Sequence, residues 1–293
     1  MIKMLRYKLE CHVVKVFFLI TRVIPISIVS LYCAYLFLFV GRRLKANKVA
    51  HDNLTMIYPD LSQKEKNKIV EGVWKNLGHN FAEFEYFSKC SKEDFLNHVK
   101  ISGLEHVLDL AKQNKPMIFF SAHFSNWEVI AAFLSIYKIK TNMIYRKTNN
   151  ETLNDFIVQT RSSDYFFMNE KGKRGAANVI KGIKNNISIA SFVDQKLNEG
   201  ITVPFFGKKA NTPPLIAQIA IKHNLPMIGV YVKRTGNLQY DLIIEPELKF
   251  KDRKNKDDQI FEIMKTVNKK ISNWINIDPG QWFWVHNRWH NPK

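Results

Sequence analysis

His123 and Glu128, five residues apart, are a pair whose types and spacing could move a proton. Met117-Ile118-Phe119-Phe120-Ser121-Ala122 reads as a buried strand, and Asn126-Trp127-Glu128-Val129-Ile130 reads as the start of a helix. His123 is thereby predicted at the carboxyl end of a strand and just ahead of a helix N-terminus, where α/β sheets build sites. The backbone N–H groups of that helix favour a neutral imidazole, which can accept a proton. Glu128, in the first helical turn, can hydrogen-bond the other ring nitrogen, fix the tautomer and stabilise the imidazolium. Ser125-Asn126-Trp127-Glu128 is also a well-formed capping box and H-x-x-x-x-E is a weak pattern by itself, so structural readings of both the glutamate and the histidine stand beside the catalytic one.

Cations are placed to complement such a base. Arg146, Lys147, Arg174 and Arg234 each border a predicted strand or helix start, where they could meet phosphates or carboxylates. Asp194 closes a strand at the same sheet edge and suits orienting a neighbour or a substrate hydroxyl. The loops Gly172-Lys173-Arg174 and Gly207-Lys208-Lys209 read as solvated basic turns, with phosphate binding as the sharper alternative. His286 and His290 have the i,i+4 spacing of a metal pair, but no H-E-x-x-H glutamate lies between them. Packing in a tryptophan-rich C-terminal segment accounts for them better, and neither a metal nor another cofactor is expected. Serine or cysteine hydrolysis lacks a G-x-S-x-G and an activated thiol.

The elements that must position these groups are short apolar runs alternating with amphipathic stretches from Lys115 onward, the pattern of a sheet with crossover helices. Strands are predicted at Met117 to Ala122, Asn142 to Tyr145, Ile187 to Val193, Met227 to Lys233 and Leu238 to Pro246. Helices are predicted at Asn126 to Lys138, Glu151 to Arg161, Gly175 to Ile183, Pro214 to His223 and Asp257 to Ile275. Residues 46–100 read as a helical subdomain, with Ser62 and Glu65 as a capping box and the aromatic run Phe81, Phe84, Tyr86 and Phe87 as core, a lipid-facing run being the alternative. The α/β domain takes 101–293.

Residues 1–45 are assigned to an N-terminal membrane helix with basic flanks. Val23 to Val40 holds no charge over 18 positions, about the shortest length that spans a bilayer. Nine basic residues against one acid, Glu10, occupy the first fifty positions. Arg22 and Pro25 leave open whether the helix spans the bilayer or lies in its interface. The basic cluster after it favours a cytoplasmic location for the body. Over the whole chain, 44 Lys+Arg against 26 Asp+Glu give +18, which calls for an anionic partner or surface. The basic run Lys249 to Lys256 invites nucleic acid, but no nucleic-acid module is visible and that role leaves the apolar segment unexplained. No nucleic-acid partner is expected.

Ala122-His123-Phe124-Ser125-Asn126-Trp127-Glu128 resembles the signature of bacterial lipid A biosynthesis acyltransferases, the late lauroyl and myristoyl transferases. Tyr145-Arg146 with Asn150, Asp194-Gln195, Pro204-Phe205-Phe206-Gly207, Arg234 and the block Pro279 to Trp289 resemble further family segments in order. Ser125 stands where the family commonly has Gly, and Gly280 where it commonly has Glu. The resemblance implies a glycerolipid-acyltransferase-like fold, a mixed, largely parallel α/β sheet flanked by helices, with the acyl chain in an apolar tunnel. It implies transfer of a fatty acyl chain from acyl carrier protein to a hydroxyl of a Kdo-bearing, phosphorylated lipid A precursor at the cytoplasmic face of a bacterial inner membrane. His123 and Glu128 would be catalytic; Arg146, Asn150, Arg174, Asp194, Gln195 and Arg234 would bind substrate. An activated thioester supplies its own leaving group, so a positioned base suffices, with backbone amides near Ser125 or a cation as oxyanion donors. A glycerolipid (lysophospholipid) acyltransferase shares the histidine-acid logic, though the C-terminal tryptophan block argues against it. A basic membrane-associated binding protein without catalysis is the alternative of a different class.

Overall fold

The computed structural model describes residues 2–251 and 253–289. The chain opens with helices α1 (Ile2–Thr21), α2 (Ile26–Gly41), α3 (Lys45–Ile57), α4 (Gln63–Lys89) and α5 (Lys92–His98). Then follow β1 (Val99–Ser102), α6 (Glu105–Lys112), β2 (Ile118–Ser121), α7 (Glu128–Ile136), β3 (Thr141–Tyr145), α8 (Glu151–Arg161), β4 (Phe166–Glu170), α9 (Lys173–Lys184) and β5 (Ser188–Phe192). The chain continues through β6 (Ile201–Phe205), β7 (Lys208–Thr212), α10 (Leu215–His223), β8 (Met227–Gly236), β9 (Gln239–Glu247) and α11 (Lys256–Ile277), ending in a 3₁₀ turn at Pro279–Gln281.

Seven strands form one sheet in the order β1-β9-β8-β2-β5-β3-β4. β8, β2, β5, β3 and β4 run parallel; β9 pairs antiparallel with β8 and carries β1 parallel to itself. This is the mixed, largely parallel sheet that the family resemblance implies, with the crossover helices that the alternating pattern predicts. From β2 the chain steps past β5 to β3 and β4, returns to β5, and then passes to β8 on the other side of β2. The carboxyl ends of β2 and β5 therefore adjoin at a switch point of the sheet. Alternate residues of the β2 strand feed two cores, Ile118 and Phe120 with α10 and α11, Phe119 with α7. β6 and β7 form a separate hairpin whose turn residues Phe206 and Gly207 both have positive φ, the demand of a two-residue turn. Gly207 is suited to that turn; Phe206 is not.

The N-terminus departs from the expectation of one anchor helix. Pro25 caps α2 with φ −52°, so Arg22, Val23 and Ile24 fall in the turn before the helix. What remains of the uncharged stretch is a 16-residue helix, about 24 Å long and shorter than a bilayer core of about 30 Å. Among the described residues no single helix is long and apolar enough to cross a membrane; only α2 and α3 taken together are, and they are bent by 87°. One side of α2 packs on α4 so closely that a Cβ at Gly78 would stand 2.3 Å from the Cys33 carbonyl oxygen. The capping box of Ser62 and Glu65 opens α4 as expected, and Phe84 and Phe87 are buried.

Candidate active site

His123 follows β2 and Asp194 follows β5, and the two side chains meet across the adjoining strand ends. His123 Nδ1 lies 2.9 Å from Asp194 Oδ1, and the His123 backbone N–H donates to Asp194 Oδ2 at 2.9 Å. The Trp282 indole N–H donates to the same Oδ2 at 2.8 Å. Asp194 is 1% exposed. Burial opposes its charge, but the electrostatic pull of His123 and the donors on its oxygens hold the carboxyl below the usual carboxylate range. An ionised carboxylate only accepts, so Nδ1 carries a proton, and in the neutral form of the ring the lone pair lies on Nε2. His123 lines a cavity of about 280 Å³.

Glu128 lines the same cavity but does not serve the histidine. Its carboxylate is taken by Arg161, whose Nε donates at 2.8 Å and whose Nη2 forms the second arm. The expected bond from Glu128 to the imidazole is thus replaced by Asp194, which the sheet order brings closer than a helix residue. The expected capping box is absent too. Ser125 sits at φ 54° with its hydroxyl buried and unpartnered, and Asn126 Oδ1 instead accepts the Glu128 N–H at 3.1 Å. Positive φ explains why glycine is common at this position in the resembling family.

The amides expected to stabilise an oxyanion near Ser125 are occupied: His123 N–H by Asp194, Phe124 N–H by the Ala122 carbonyl, Ser125 N–H by the Gln281 carbonyl. Arg146 and Gln195 line the cavity, and Arg146 is exposed at its rim. Among the described residues no carboxylate pairs with it. Asn150 lies away from the cavity: its Oδ1 caps α8 by accepting Leu153 N–H, and its Nδ2 donates to the Tyr7 carbonyl and Glu10. Arg174 is exposed in the first turn of α9 and does not line the cavity. Arg234 is turned inward, giving both Nη groups to Glu83 at 2.9 Å. His286 Nε2 accepts the Lys196 N–H, a structural bond, while His290 lies outside the described residues.

The cavity runs down one face of the sheet beneath α7 and α8. Ser121 of β2, Phe192 of β5 and Tyr145 of β3 line it at the level below His123; Phe119, Ala190, Met143 and Met168 form the rung beneath. That lower end is apolar, whereas Arg146, Thr148 and Gln195 stand at the other. Three walls were not legible beforehand: Arg161, Trp127, whose ring meets the imidazole edge-on at 5.1 Å, and the unpartnered buried Ser121 hydroxyl. Their signal is the alternation of β2 and the helical spacing of α8, which predict a shared face but not what faces it.

Beside the site lies a buried polar cluster. Glu83 accepts from Arg234, Asn126, Tyr240 and Ser30 of α2. Burial opposes its ionisation, yet Arg234 and the hydroxyls hold it below the carboxylate range. His79 Nδ1 lies 2.6 Å from the Ser30 hydroxyl; burial, with Arg234 next, pushes its pKa down to about 4. Asn76 and Asn80 donate to the Ser125 carbonyl, so α4 braces the turn that carries His123.

The chain aligns with the 1-acyl-sn-glycerophosphate acyltransferase of Thermotoga maritima at 13% identity and a TM-score of 0.40, over 84% of this chain and 97% of that one. It is 22% identical over 255 residues to the lipid A biosynthesis lauroyltransferase of Escherichia coli (strain K12), covering 85% of this chain and 80% of the relative. The family model described as bacterial lipid A biosynthesis acyltransferase matches residues 1–291. A histidine–aspartate pair over an apolar cavity in a chain matched from end to end makes this an acyltransferase, and the chain belongs to the bacterial lipid A biosynthesis acyltransferase family.

Proposed function

We propose that the protein moves a fatty acyl chain from acyl-acyl carrier protein to a hydroxyl of a Kdo-bearing lipid A precursor, with His123 as general base. The observation that carries the reading is the imidazole held by Asp194 through Nδ1 at the head of an apolar cavity. Nε2 takes the proton of the acceptor hydroxyl as its oxygen attacks the thioester carbonyl. Collapse of the tetrahedral intermediate breaks the C–S bond, and the imidazolium returns the proton to the departing thiolate. Asp194 stabilises the transient imidazolium. The acyl chain lies along Phe119, Met143 and Ala190, and Arg146 at the rim meets an anionic group of donor or acceptor. Glu128 acts at one remove, by holding Arg161 against the cavity wall.

The site works at the cytoplasmic face of a bacterial inner membrane, with the N-terminal helices as a monotopic contact. Most of the exposed large apolar side chains of the described residues lie between Met4 and Leu44. Lys8 and Lys15 are exposed on α1 among them, as an anionic interface requires. The deciding experiment incubates a Kdo-bearing precursor with acyl-acyl carrier protein and either wild type or His123→Ala, read by mass spectrometry. A gain of one acyl chain with wild type alone supports the reading; equal gain with both, or none with wild type across several donors, overturns it.

A further inference from the structure

The C-terminal block Pro279 to Trp289 lies outside the cavity wall, yet it touches both turns that carry the site. Phe124 and Trp282 form an antiparallel bridge, the Ser125 N–H donates to the Gln281 carbonyl, and His286 Nε2 accepts the N–H of Lys196, two residues after Asp194. Trp282 is 2% exposed and its indole N–H points at Asp194 Oδ2. We propose that Trp282 is a positioning residue for the reaction, fixing through this hydrogen bond the rotation and charge of the carboxylate that orients His123. The inference rests on His123 acting as the base.

The geometry leaves Asp194 little freedom. Oδ1 is held by the imidazole; Oδ2 is held by the His123 amide and the indole. Removing the indole donor leaves one side of Oδ2 uncompensated, so the carboxylate can rotate and its charge acts more strongly on the imidazolium. The other charged and titratable groups around the pair are His286, Arg288 and Lys196 on the C-terminal and post-β5 segments and the Glu128–Arg161 pair across the cavity, with Arg146 at its rim.

Trp282→Phe keeps most of the ring and deletes the donor. The expected result is about a tenfold fall in kcat, the scale of one hydrogen bond to a charged group, with little change in donor KM because Trp282 does not line the cavity. The acid limb of kcat/KM moves to higher pH. Trp284→Phe is the matched control: it deletes an indole N–H that donates to the Pro279 carbonyl at 2.8 Å in the same segment, and it leaves the acid limb in place. A substrate-free readout is the titration of the His123 imidazole by NMR, which shifts upward in Trp282→Phe only. If Trp282→Phe and Trp284→Phe give the same titration curve and pH profile, the proposal falls, even where both lose stability. If the imidazole shifts but wild type transfers no acyl group, the positioning stands and the assigned reaction fails.

Discussion

The two ring nitrogens of His123 have different neighbours, and that difference is what suits the side chain to the proposed role of base. Replacing Asp194 by Asn presents an amide that no longer enforces the Nδ1–H tautomer. The expected loss in kcat is on the order of 10³- to 10⁴-fold with the fold retained. Glu128→Gln weakens the Arg161 clamp and costs less. Parallel steady-state assays of the two variants decide the assignment: a larger loss for Glu128→Gln would return Glu128 to the histidine. Ser125 offers a second test at this scale. It holds a left-handed conformation with an orphaned buried hydroxyl, so Ser125→Gly relieves both and should raise stability by about 1 kcal/mol or more in urea titration. A lowered midpoint would mean that the hydroxyl has a bonded partner.

At the scale of elements, α4 is the beam that joins the N-terminal helices to the sheet, and its inward side carries the partly buried His79 and the buried Glu83. A histidine whose pKa falls from 6.5 to about 4 on folding stays neutral in the folded state. Its contribution is complete above pH 6.5 and is lost as pH falls from there toward 4, because the unfolded chain binds the proton first. The whole window is worth on the order of 1–3 kcal/mol. His79→Gln, which still bonds a hydroxyl, should therefore flatten the fall of Tm between pH 6.5 and 4 relative to wild type; parallel curves would remove the histidine from the account. The local signals of this architecture were strong where a segment's own pattern decides it. The predicted helix Glu151 to Arg161 matches α8 to the residue, and Asn150, assigned to substrate from the resemblance, is its N-cap. β4 was missed: Phe166-Phe167-Met168-Asn169-Glu170 shows no alternation and owes its pairing to β3. The β6–β7 hairpin was missed because Pro204 speaks against a strand and is tolerated there in an isolated two-stranded ribbon. The site was half legible for the same reason. His123 announces itself from the strand and helix around it, whereas its partner depends on β2 lying beside β5, 71 residues away in the chain. Arg234 looked available at a strand end because its acceptor, Glu83, comes from a helix 151 residues earlier.

For the molecule as a whole, the question is what covers the apolar side chains that α1 and α2 leave exposed. Deleting both helices would be a poor test, since Ser30 bonds Glu83 and α2 sits within close approach of Gly78, so the sheet would lose its brace along with any membrane contact. Point changes separate the two. Leu9 and Val13 are 62% and 58% exposed on α1, so Leu9→Asp with Val13→Asp should leave Tm nearly unchanged. On a bilayer each loses an apolar anchor worth roughly 1.5–3 kcal/mol. The pair should then lower binding to anionic vesicles by about 100-fold or more in a flotation assay. Raised salt should weaken wild-type binding further by screening exposed lysines such as Lys8 and Lys15. Activity on detergent-dispersed acceptor should persist in the variant while activity on vesicle-embedded acceptor falls, because the cavity below His123 is untouched and only delivery to the surface is lost. Equal flotation of variant and wild type would show that this face does not meet lipid, and the basic excess of the chain would then have to be accounted for at the cavity rim, around Arg146.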